Sequence, residues 1–117
     1  MNISELFDTA IAGLEAQTEK SSTPGTDLCQ YHGPHGTKCL FGHMMDAVPD
    51  TMNTETIGSN VILKLIRESS GVDLLDTLKA ADLVALQDIH DVDWKVGYPF
   101  RPLIPGHLQL KIWGDVQ

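Results

Sequence analysis

Lysine and arginine are scarce. The 117 residues carry 8 of them against 16 acids, a formal charge of −8. They stand singly from Lys20 to Lys111, so no basic stripe exists to neutralise phosphates, and direct nucleic-acid binding is disfavoured. An acidic surface instead repels nucleic acid and anionic membrane, and steers toward basic protein surfaces. Long apolar runs are also missing. Nothing approaches the ~20 residues that span a bilayer, and the opening MNISELFDTAIAGLE lacks the positive flank and apolar stretch of a signal peptide. The expected location is the cytoplasm. With two cysteines in a reducing compartment, thiols are expected rather than a bridge that holds the fold.

The length is that of one domain, 1–117, with a single modest core. Over Asn2 to Lys20, Ile3, Leu6, Phe7, Ala10 and Leu14 recur at helical spacing, with Asn2 and Glu5 placed as an N-terminal cap. SSTPGT then stops the helix. Leu28–Tyr31 and Thr37–Leu40 flank His-Gly-Pro-His-Gly, which predicts a small hairpin near 28–40. From Leu40 the apolar spacing turns helical again until Pro49. A helix is predicted over Asn60 to Ser70, closed by Ser-Ser-Gly, and another region over Asp73 to His90, with a short turn around Leu74 and Leu75 first. Residues 95–117 differ. The three prolines of YPFRPLIPG favour an extended, proline-rich tail, and the alternation of Leu108, Leu110 and Ile112 predicts a strand at 107–113. The expected class is mainly α with a small β element, about four helices plus the hairpin.

The segment CQYHGPHGTKCLFGHMM carries metal-ligand residue types. Cys29 with His32 and Cys39 with His43 form two close pairs of the kind zinc takes, with His35 to spare. Equally, the cysteines are small apolar residues at a hairpin base, and His32 and His35 flank its tip.

The same segment resembles one found in small phage and prophage proteins of unassigned role, in which C-x-Y-x-G-x-x-G-x-K-C-x-x-G precedes a short apolar helix. The match rests on Cys29, Tyr31, Gly33, Gly36, Lys38, Cys39 and Gly42, and extends over about residues 3–94 through ISELFDTAIAGLEAQ and LVALQDIHD. Because that pattern does not include His32, His35 or His43, the resemblance implies architectural cysteines and glycines and leaves zinc as a lesser alternative, with no cofactor expected. The tail from Trp94 lies outside the resemblance.

Two further groups bear on function. DIHDVD places Asp88, His90, Asp91 and Asp93 together, ligand types for a hard cation or a proton-transferring pair, which makes a small metal-dependent hydrolase an alternative. No nucleophile or phosphate loop supports it, so the chain is read as a non-enzyme. Between Asp73 and Asp93 stand six acids and one base, Lys79. Such a run is ordinarily a solvated helix face, and it also suits mimicry of nucleic-acid phosphates.

The expectation is a phage or prophage accessory protein that binds and inhibits a host protein, in the manner of an anti-CRISPR or other counter-defence factor. Its partner would be a nucleic-acid-binding defence complex. Expected contact residues are Asp76, Asp82, Asp88, Asp91 and Asp93, with Tyr98, Phe100 and Trp113 as aromatic anchors.

Overall fold

Asn2 opens the first helix by a reciprocal cap. Its side-chain oxygen accepts the Glu5 N–H at 2.9 Å, and the Glu5 carboxylate accepts the Asn2 N–H at 3.3 Å. In this computed structural model, which describes residues 1–19, 21, 30–33, 36–53, 55 and 57–115, that helix is α1, Ile3–Glu15. It buries Leu6, Phe7, Ala10, Ile11 and Leu14, the face that the apolar spacing marks. Three more helices follow: α2, Asn60–Ser70; α3, Ala80–Asp88; and α4, Gly106–Trp113. Short 3-10 turns at 42–44, 50–52, 74–76 and 101–103 join them. The architecture is mainly helical.

Local chemistry explains most boundaries. Ser59 Oγ accepts the Val61 N–H at the start of α2. Gly71, at φ 77°, ends it by donating to the Arg67 carbonyl at 2.8 Å. Asp73 caps the turn at 74–76, and the Asp82 carboxylate accepts the Lys79 N–H at the head of α3. α1 packs against α4 and against the 42–44 turn, which α2 also touches. Between them lies one core that includes Phe7, Phe41, Ile62, Leu83, Trp94 and Phe100.

Three expectations need correction. The helix predicted from Leu40 to Pro49 is only the turn Gly42–Met44. A longer helix would need the Gly42 carbonyl to receive Asp46 N–H, but the His32 ring binds that carbonyl at 3.0 Å, and Asp46 N–H donates to Ser69 Oγ at 3.0 Å. The hairpin reduces to an antiparallel bridge between His32 and Lys38, with Gly33 N–H donating to the Thr37 carbonyl at 2.8 Å. No strand occurs among the described residues, and 28, 29, 34 and 35 lie outside them.

The third correction is the tail. The strand expected at 107–113 is α4, and the described part of the tail, 95–115, is not extended. Leu108 and Ile112 are four apart and both buried, whereas Leu110, between them, is exposed. The buried Gln109 amide donates to the carbonyls of Ile104 at 2.8 Å and Arg101 at 3.2 Å, closing the proline-rich loop onto the helix. Gly114, at φ 77°, supplies the stop. The segment is tied down at both ends: Phe100 N–H donates to Glu15 at 2.9 Å, and the Trp113 indole N–H to Asp8 at 2.8 Å.

Candidate interaction surface

α3 does not stop at Asp88. It widens into one π turn, Ile89–Asp93, whose closing bond runs from Trp94 N–H to the Ile89 carbonyl at 2.8 Å. The turn sends Ile89, His90 and Trp94 inward and leaves Val92 and Asp93 outside, Val92 at 77 % exposure. His90, 1 % exposed, stacks on Trp94 with ring centres 5.5 Å apart and 21° between planes. Its Nδ1 donates to the Asp91 carboxylate at 2.9 Å, which also receives the Gln87 amide at 3.0 Å. Gln87 in turn lies 4.0 Å from the Cys39 sulfur. Through Cys39 and Gln87, the cysteine-histidine segment and the DIHDVD turn meet inside the protein.

Trp94 frames the loop that comes after the π turn. Fully buried, it meets Phe100 edge to face at 6.3 Å, and its indole N–H donates to the Tyr98 carbonyl at 2.8 Å. Lys95–Tyr98 is a tight turn closed by Tyr98 N–H to the Lys95 carbonyl at 3.1 Å, with Gly97 at φ 87°. That positive φ is the conformation a side chain resists, which is why glycine stands there. The result is an aromatic ring held out from a fixed backbone: Tyr98 is 64 % exposed. Beside it opens a groove of about 380 Å³ lined by Asp93, Lys95, Tyr98, Pro99, Pro102 and Leu103.

The predicted contact residues divide. Asp76, Asp88 and Asp93 are exposed and have no ion-pair partner among the described residues. Asp82 and Asp91 are engaged inside the protein. Asp82 pairs with Lys111 at 2.9 Å, and its pKa is lowered, first by the Lys79 N–H and then by Lys111. Phe100 cannot be an anchor for a partner, because its ring is 0 % exposed and packs on Trp94. Trp113 is half-buried, meets Phe7 edge to face at 6.0 Å, and is covered by the Arg101 guanidinium 4.0 Å from its ring centre. Of the three aromatics, only Tyr98 is presented outward. Val92, Pro99, Pro102 and Leu103 were not expected there; the alternation of proline with aromatic and aliphatic residues in YPFRPLIPG was the signal.

The described candidate zinc ligands have other surroundings. Cys29 lies outside the described residues, as does His35. The Cys39 thiol is fully buried, and the His32 ring is directed at the carbonyls of Gly42 and Met45. His43 Nε2 donates to the Gln17 amide oxygen at 2.9 Å, which also receives the Lys38 N–H at 2.7 Å. Burial holds the His43 pKa down to about 4 from 6.5, helped by Lys38, His32 and His90. No group of three or more ligand-type side chains converges among the described residues. Of the same residues, no helix is long and apolar enough to cross a membrane.

Comparison with protein-family models, curated proteins and solved structures finds no match to this chain.

Proposed function

We propose that the protein acts by contact with another protein, through the surface formed by the π turn and the loop 95–103. One observation carries this reading: Tyr98, an aromatic side chain, stands exposed on a backbone fixed by Trp94, beside a groove with apolar walls. A binding surface gains a rigid aromatic of large area and small entropic cost. The overall charge of −8 favours a basic partner, and the exposed carboxylates of Asp88 and Asp93 speed its approach.

Joined to the resemblance of residues 3–94 to phage and prophage proteins, this reading becomes a counter-defence factor that disables a host protein by occupying its basic surface. With Asp82 and Asp91 engaged internally, the predicted contact acids left exposed are Asp76, Asp88 and Asp93, of which Asp93 lines the groove beside Tyr98. The test is affinity capture from bacterial lysate containing active defence systems, washed at rising salt, with bound proteins identified by mass spectrometry. One stoichiometric partner that dissociates as salt rises is the expected result.

A further inference from the structure

We propose that the groove beside Tyr98 receives an arginine side chain of the basic partner, its guanidinium over the phenol ring and paired with the Asp93 carboxylate. The proposal rests on the contact reading above and specifies its chemistry. The groove, about 380 Å³, is large enough for one long side chain, and its lining supplies two features that a guanidinium uses together. The first is an aromatic face, against which a planar cation stacks. The second is a carboxylate at the rim, exposed and with no ion-pair partner among the described residues. Pro99, Pro102 and Leu103 form walls that offer no competing hydrogen-bond donor from their side chains.

The chain holds one arginine between an aromatic ring and a carboxylate within itself. Arg101 lays its guanidinium carbon 4.0 Å from the Trp113 ring centre and donates to Asp115 at 2.6 Å. That intramolecular triad of arginine, aromatic and aspartate joins the same three kinds of group that Tyr98 and Asp93 would join with a partner's arginine. Lysine is a poorer occupant, because its ammonium is a strongly hydrated point charge that does not stack as a plane. Lys95, which also lines the groove, opposes any cation. It therefore sets a handle of the opposite sign: removing its charge should tighten binding, and removing that of Asp93 should loosen it.

The two tryptophans give an internal readout. The Trp94 indole N–H is bonded to the carbonyl of Tyr98, which lines the groove, whereas that of Trp113 is bonded to Asp8, which does not. The experiment titrates the nitrogen-15-labelled full chain with a five-residue glycine peptide, capped at both ends, whose one charge is a single central arginine. Matched peptides carry lysine or citrulline instead. The arginine peptide is expected to move the Trp94 indole resonance and the amides of 93–103 saturably, leaving Trp113 in place. The lysine peptide should bind about threefold more weakly and the citrulline peptide not measurably. Asp93→Asn should weaken the arginine peptide severalfold, and Lys95→Ala should strengthen it. Equal behaviour of arginine and citrulline peptides, or a Trp94 resonance that stays still, overturns the guanidinium assignment. Lysate capture of a partner that Tyr98→Ala binds as well as wild type overturns the contact reading itself, so the two failures are distinguishable.

Discussion

Two loops of similar length differ in how they use their side chains. Among the described residues of 30–45, the polar groups of Tyr31, His32 and His43 are turned back onto the protein. Tyr31 O–H donates to the Glu55 carbonyl, Asn53 clasps the His32 backbone on both sides, and the His32 and His43 rings are bound to carbonyl and amide oxygens. In 94–105 a few buried rings do the holding, Trp94 and Phe100 above all, and they free Tyr98, Pro99, Pro102 and Leu103 to face outward. A stretch dense in chemically versatile residues thus serves architecture. The stretch with few of them holds the surface proposed above for recognition.

The difference can be broken most sharply at Gly42. A Cβ placed there would lie 1.8 Å from the Tyr31 carbonyl oxygen, a backbone atom with no freedom to yield. Gly42→Ala should therefore cost more than about 3 kcal/mol, seen as a collapse of the urea midpoint or loss of soluble protein. Next is Phe100→Ala. Removing a fully buried ring should cost about 3–5 kcal/mol in the same measurement and also loosen the Tyr98 loop, read as faster amide exchange at 95–98.

A smaller effect separates the loops by pH. With its native pKa near 4, His43 stays neutral in the folded protein while the unfolded chain takes up a proton near 6.5. The unfolded state then binds more protons between these values, so stability is full above about pH 6.5 and falls as pH drops toward 4. Because His43 is only half-buried, solvent screening reduces this to roughly 1–2 kcal/mol. In denaturant titrations, His43→Asn should flatten the slope of stability against pH between those limits. The smallest effect is expected at Tyr98: alanine there should change stability by no more than about 0.5 kcal/mol, because the ring supports nothing beneath it.

Much of the helical framework was legible in the sequence. The Asn2–Glu5 cap, the Asn60–Ser70 extent of α2 with its Ser-Ser-Gly close and the turn at 74–76 each have local causes a few residues long. The C-terminal helix was not legible, because Leu108, Leu110 and Ile112 satisfy a two-residue period and, through Leu108 and Ile112, a helical one. What decides between them is Gln109, whose buried amide satisfies carbonyls of a loop folded by distant contacts. The same limit applies to the site. Tyr98 was identifiable as an unusual aromatic, but Phe100, two residues away, looks equivalent in sequence. Only the packing of Trp94 assigns one ring to the core and the other to solvent.

The decisive measurement is affinity capture with wild type and Tyr98→Ala in parallel, alongside the melting temperature of each. If Tyr98 is the contact that its exposure suggests, the two proteins melt within a degree or two of each other, wild type retains one stoichiometric basic partner, and the variant loses it. Equal retention by both, or no stoichiometric partner for wild type, contradicts a contact function for this surface.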